Sequence, residues 1–222
     1  MTYDEFLSLL SPFCEEKFAA FQAKLILPPK QKILGVRTPT LRKIAKQYLS
    51  EIESVFAFPD EYYEITFIKL TMASLLPYPK FLKYLDACVQ RIDNWALCDS
   101  FKANCIKKHR QEFLPILERY FVTGKEFYQR YVLVCLLSYY VEEEYLALIF
   151  SYLRRADTSK YYVHMACAWL TAEILIKHYD FGLKILQSGV LEDKTQNKSI
   201  QKARESFRLD EKQKEFLRSL KR

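Results

Sequence analysis

The chain has 222 residues, half of them hydrophobic, so it can bury a substantial core and is not disordered as a whole. Lys and Arg exceed Asp and Glu by 34 − 27 = +7, a moderately basic balance that suggests a polyanionic partner without proving one. Only four glycines occur (Gly35, Gly124, Gly182 and Gly189), too scattered for a dinucleotide fingerprint, a phosphate-cradling P-loop or a nucleophile elbow.

Apolar residues recur at intervals of three and four almost throughout. They predict helices over 3–11, 14–26, 39–49, 60–75, 79–91, 94–106, 110–121, 125–139, 143–155, 159–177, 180–188, 194–207 and 211–220. The first of these lies in MTYDEFLSLL, where an acidic pair stands in place of the positive charge of an export signal. Thr38 before Pro39 reads as an N-cap with proline at the first helical position. LPYPK at 76–80 is a corner between two helices, because proline is excluded from helix interiors. Asp93 is placed to cap the helix that begins NWAL, and Thr158 or Ser159 to cap KYYVHMAC. No segment alternates with period two, so no sheet is expected, and no apolar run is long enough to span a membrane.

The six cysteines form no C-x-x-C pair; Cys14, Cys88, Cys135 and Cys167 sit in or beside apolar stretches and read as small buried hydrophobes. His109, His164 and His178 show no ligand spacing with them, so neither a metal nor a cofactor is expected. The reading is of a monomeric cytoplasmic protein with reduced thiols.

Positive charge is unevenly placed. Residues 30–46 hold six basic residues and no acid, and residues 100–111 hold Lys102, Lys107, Lys108 and Arg110, again without an acid. Residues 193–222 carry ten basic and five acidic side chains, among them Lys198, Lys202 and Arg204. Any one run reads first as a solvated helix face; three together favour a phosphate-binding surface. Weak self-similarity adds a further constraint. EFYQRYVLVCLL (126–137) aligns with KYYVHMACAWLT (160–171) at a separation of 34, and IDNWALCDSF lies roughly one such interval earlier. A recurrence of this length predicts stacked helical hairpins, in which equivalent positions of successive repeats face one groove.

In IDNWALCDSF, Trp95 precedes Asp99 by four residues, which puts an indole and a carboxylate on one helix face. Each has an ordinary explanation: Trp95 and Trp169 as core residues, Asp99 as a surface partner of Lys102, Arg130 as a tie to a carboxylate on the next helix. Yet Asp99 is surrounded in sequence by Leu97, Cys98 and Phe101, where a merely solvated acid is not expected. A carboxylate walled by indoles suits a developing cation. Cleavage of a glycosidic bond passes through an oxocarbenium-like sugar. A nucleobase alkylated on a ring nitrogen leaves as a neutral molecule and needs no general acid, so one aspartate with aromatic walls could suffice.

These segments resemble the HEAT-like-repeat DNA alkylation-repair family, whose best-known branch is the AlkD-type alkylpurine DNA glycosylases. ILGVRTPTLRKIAK (33–46) is similar to the family's Gly then Thr-Pro helix start, NWALCDS (94–100) to its W-x-x-x-D element, FYQRYVLVCLL (127–137) to the repeat that supplies an arginine, and YYVHMACAWLTAEI (161–174) to the repeat with a second tryptophan. NKSIQKARESFRLDEKQKEFL (197–217) resembles a family ending. The resemblance implies an all-α, right-handed superhelical solenoid of antiparallel HEAT-like repeats, one domain over residues 1–222, with a concave groove for duplex DNA, alkylated or branched. It implies catalytic roles for Asp99, Trp95, Trp169 and Arg130. DNA contacts are expected from Arg37, Arg42, Lys43, Lys102, Lys107, Lys108, Arg110, Lys198, Lys202 and Arg204. The pattern departs at Ala96, where an acid is typical, and at Phe21, where a tyrosine is expected. The reaction implied is excision of N3- and N7-alkylated purines. A DNA-binding scaffold without activity and a module for acidic peptides are the competing readings.

Overall fold

The computed structural model describes residues 1–26 and 30–222, and among these there is no β-strand, only one isolated bridge between Lys32 and Tyr62. The all-helical expectation holds. The chain divides into two compact units, residues 1–109 and 110–222.

The first unit contains α1 (Tyr3–Leu10), α2 (Glu16–Leu25), α3 (Thr38–Gln47), α4 (Ile52–Ala57), α5 (Tyr63–Ser74), α6 (Tyr78–Arg91) and α7 (Trp95–Ser100). Helix α5 is its centre and packs against α3, α4, α6 and α7. This follows from its sequence, YEITFIKLTMAS, which is apolar on all sides rather than along one stripe. Its polar residues Glu64, Thr66 and Lys69 are therefore buried and need partners. Lys69 is fully buried and its Nζ donates to the Phe58 carbonyl at 2.6 Å and pairs with Asp60 at 2.7 Å. Glu64, also fully buried, accepts from three successive backbone N–H groups: Leu34 at 3.0 Å, Gly35 at 2.8 Å and Val36 at 3.3 Å.

That clamp explains the ILGVR segment ahead of α3. Gly35 has φ of +84°, a left-handed conformation that side-chain-bearing residues avoid. A Cβ there would also stand 2.3 Å from the Glu15 carbonyl oxygen and 2.9 Å from the Ala19 nitrogen, both backbone atoms of the α2 start. Gly35→Ala is accordingly expected to destabilise this unit by about 2–3 kcal/mol, readable as a lowered denaturation midpoint.

The second unit contains α8 (Arg110–Phe121), α9 (Glu126–Tyr139), α10 (Leu146–Arg155), α11 (Tyr161–Lys177), α12 (Tyr179–Gln187), α13 (Asp193–Arg204) and α14 (Glu211–Ser219). Helices α9, α11 and α13 pack side by side, with α8 on α9, α12 on α11 and α14 on α13. Hydrogen bonds join the neighbours in this row of helices. Glu126 Oε1 accepts from the Tyr162 N–H at 2.8 Å, and Gln129 Oε1 from the Asp157 N–H at 3.1 Å. His164 Nδ1 meets Thr195 Oγ1 at 2.8 Å, one helix further on.

Several local expectations are corrected. The helix expected over 94–106 stops at Ser100, because Phe101 (φ −80°, ψ 79°) turns the chain: the Lys102 N–H donates to the Ser100 carbonyl at 3.0 Å, an inverse γ-turn. The turn lets Phe101, Ala103 and Ile106 all be buried, and a 3₁₀ segment follows at Asn104–Lys108. Thr38 is not a cap; it is the first residue of α3, after Arg37 at the N-cap position. Asn94 rather than Asp93 caps α7, accepting from the Leu97 N–H at 3.0 Å. Neither Thr158 nor Ser159 caps α11; Lys160 holds that position without a side-chain bond, and Glu126 satisfies the Tyr162 donor instead. Cys14 is exposed rather than buried, since α2 begins only at Glu16. Helix α4 carries no isolated sequence signal beyond Ile52 and Val55, which face the core.

Candidate functional site

In the first unit, α2, α5 and α7, with the first residue of α3, enclose an open cleft of about 260 Å³. Phe18, Phe21, Gln22, Leu25 and Ile26 line it from the α2 side, Thr38 and Tyr63 from α3 and α5, and Trp95, Ala96, Asp99 and Ser100 from α7. The spacing of Trp95 and Asp99 thus puts them on one face, and that face lines a cavity rather than the core. The cause is the burial of the opposite face: Leu97 and Cys98 are fully buried and Phe101 is nearly so, its ring 5.9 Å from that of Phe81. With those positions turned inward, Trp95 and Asp99 are left outward.

Trp95 is held by a contact that is remote in sequence. Its indole Nε1–H donates to the Leu25 carbonyl at 3.0 Å, joining the start of α7 to the end of α2. Trp95 as a residue is 36% exposed, and its indole nitrogen is fixed by this bond. Asp99 is half-buried at the end of the same short helix. Phe21 is 55% exposed, and its ring stacks near that of Phe18, with centroids 6.3 Å apart and planes 30° apart. Arg37 lies over Phe18, its guanidinium carbon 4.8 Å from the ring centre, and binds both oxygens of Glu15 at 2.7 and 2.8 Å. This pairing holds the Glu15 carboxyl below the usual carboxylate range.

Two residues of the cleft lining that carry polar groups, Tyr63 and Gln22, are themselves buried. Tyr63 is buried, and burial pushes its phenol well above the usual range, with Glu64 adding to the effect and a hydrogen bond from Gln22 opposing it. Gln22 is also buried, and its Oε1 has no hydrogen-bond partner among the described residues. Neither Gln22 nor Tyr63 stood out in the sequence. Glu64 did not either, although an acid inside the apolar run YYEITFIKL was the available signal.

The basic residues expected at DNA divide into two groups. Arg42, Lys43, Lys102, Lys107 and Lys108 are exposed, the first two on α3 and the last two on the 3₁₀ segment after α7. Arg37 is tied to Glu15, as above. In the second unit Arg110 pairs with Glu142 at 2.6 Å and donates to the Tyr139 carbonyl at 3.2 Å. Arg204 reaches Glu215 at 3.4 Å, and Lys198 donates to Gln201 at 3.1 Å; Lys202 is half-buried.

Arg130 and Trp169 belong to the second unit. Arg130 is 5% exposed, and its guanidinium donates to the Tyr162 carbonyl at 2.9 Å, at the first turn of α11. Trp169 is half-buried on α11. The same helix carries His164, whose imidazole is pushed below its ordinary value of 6.5 by burial first and then by Lys194, with Lys198 acting in the same sense and Glu192 opposing. A histidine with a depressed folded-state value takes up its proton in the unfolded chain first. Stability should therefore fall as the pH drops below 6.5, and the fall should be complete below the folded-state value. Thermal melts of His164→Asn, which can keep a polar contact with Thr195, should lack this part of the acid dependence.

Among the described residues no three or more His, Cys, Asp or Glu side chains gather as a metal site, and no helix is long and apolar enough to cross a membrane. A search of curated proteins finds no match. The family model described as DNA alkylation repair enzyme matches residues 10–207, which include every residue of the cleft. By that match, which spans most of its length, the chain belongs to the DNA alkylation repair enzyme family.

Proposed function

We propose that the chain is a DNA glycosylase that hydrolyses the N-glycosidic bond of cationic N3- or N7-alkylated purines in duplex DNA. The observation that carries this reading is the shared cleft: Asp99 and Trp95 line one open cavity, within a chain of the DNA alkylation repair enzyme family.

The chemistry follows from what such a cleft supplies. Alkylation has already made the base a good leaving group, so the C1′–N bond breaks with its electron pair returning to the base and neutralising it. Positive charge is left on the deoxyribose. The Asp99 carboxylate stabilises that charge and orients the attacking water, whose oxygen bonds to C1′ while its proton passes to the carboxylate or to solvent. The Trp95 face, fixed by its bond to Leu25, adds an electron-rich wall. Arg42, Lys43, Lys102, Lys107 and Lys108 are proposed to hold backbone phosphates, which gives affinity without reading sequence. Arg130 and Trp169 are assigned to the same reaction, and Arg37, Arg110, Lys198, Lys202 and Arg204 to DNA binding, through the family resemblance. Each is testable by single substitution in its own unit.

Incubation with duplex DNA containing 7-methylguanine or 3-methyladenine should release free base. A second reading is favoured by Ala96 and Phe21, which line the cleft where the resembled enzymes carry polar groups. In that reading the protein binds damaged or branched DNA without cleaving it. Salt-sensitive binding with a preference for junctions, and no base release, would select it.

A further inference from the structure

The second unit brings three basic side chains together, of which Lys198 alone carries a DNA-binding role by the family resemblance. His164 stands on α11, half-buried, with its Nδ1 2.8 Å from the Thr195 hydroxyl of α13. Lys194 and Lys198, on either side of Thr195 along α13, both act on the charge of that imidazole. Glu192 opposes them, but its carboxylate is engaged by Lys194 at 3.1 Å and by Thr158. The Glu192 and Lys194 side chains are both more than half exposed, so their pairing is worth little. From α9, Glu126 and Arg130 hold the N–H and the carbonyl of Tyr162. The charged residues of α12, Asp180 and Lys184, flank Gly182, which lies against Leu175 about three turns along α11 from His164.

An imidazole and two ammonium groups repel one another, and burial adds to the cost of charging the ring. An anion among them reverses the sign, because it neutralises the lysines and favours the protonated ring. The contact with Thr195 is compatible with either state: a hydroxyl donates to the neutral ring and accepts from the charged one. Tyr161, 63% exposed and with its ring 6.5 Å from that of His164, adds a phenol beside the cluster.

We propose that His164, Lys194 and Lys198 form a phosphate site in the second unit, which takes one phosphodiester of a DNA backbone together with a proton on His164. The site grips the backbone and reads no base. DNA affinity therefore rises as the pH falls, and it does so through this one ring. The inference goes beyond the glycosylase reading and does not rest on the cleft chemistry, since binding is measured without base release.

The test titrates undamaged duplex DNA into the full chain at about pH 8 and about pH 5.5, at several salt concentrations, while NMR follows the His164 ring. The native chain should bind about 5-fold or more tightly at the lower pH, with a salt dependence steeper by up to about one unit. The His164 midpoint should lie below 6.5 in the free chain and move above it when DNA is bound. His164→Asn, which can keep a polar contact with Thr195, should lose the acid gain, and His178→Asn should retain it. Lys194→Ala, at an exposed position, should bind more weakly at both pH values. It should also raise the His164 midpoint of the free chain, because one repulsive charge is gone. A midpoint that DNA does not move, or an acid gain that His164→Asn retains, would overturn the site. If the duplex does not bind at all, the backbone is not the ligand. Inorganic phosphate then decides: a raised His164 midpoint sustains a site for free phosphate, and an unmoved one overturns the site altogether. Loss of base release with these results intact would touch only the cleft.

Discussion

Asp99→Asn is expected to lower the release of 7-methylguanine from duplex DNA by about 100-fold or more, the scale on which removing one preorganised electrostatic group acts. The substitution keeps the shape of the side chain and removes its charge. It should preserve the packing of α7, because the amide fills the same space, Asn94 caps the other end of the helix, and Leu97, Cys98 and Phe101 remain buried. Binding of the duplex should change little, since on the proposed reading the attraction comes from basic residues at backbone phosphates and not from this carboxylate. The informative measurement is therefore single-turnover base release beside a binding titration and a thermal melt. Unchanged release with unchanged melting would remove Asp99 from the chemistry and, with it, the reason to read this cleft as an active site.

Glu64→Ala should destabilise the first unit by at least about 3 kcal/mol, since three backbone donors that it satisfies would lose their acceptor at about 1–3 kcal/mol each. The net effect is smaller than the full sum because the carboxylate carries its own burial cost, visible in a carboxyl pushed above the usual range by burial despite its donors. A functional consequence is expected as well. The clamped segment runs directly into Thr38, which lines the cleft, and Gly35 within it meets the start of α2, which supplies the aromatic wall. Glu64→Gln keeps one acceptor but turns an amide donor towards another donor, so it should fall between the native chain and the alanine variant. Chemical denaturation of the three proteins checks the order. A loss well under 1 kcal/mol for the alanine variant would show that the Leu34–Val36 donors find water, and that the clamp is not what holds this segment.

Much of the molecule could be read from local sequence, and the parts that could are those with local causes. The periodicity of three and four located most of the helices to within a few residues, α4 and the end of α7 excepted, because the side chains that a helix buries recur on one face. The same rule placed Trp95 and Asp99 together, and the recurrence between residues 126–137 and 160–171 anticipated the neighbouring helices α9 and α11. What the sequence could not reveal depends on partners far along the chain. The helix break at Phe101 is imposed by the burial of its ring against Phe81. The anchor of Trp95 lies 70 residues away at Leu25, and the acceptor for Leu34, Gly35 and Val36 lies about 30 residues on, at Glu64. The donor at the start of α11 is satisfied from α9 rather than by a neighbouring threonine or serine. Composition and spacing determined which residues could share a face, since that is a property of helix geometry alone; only the packing of α2, α3, α5 and α7 decided that the face with the indole and the carboxylate would border a cavity.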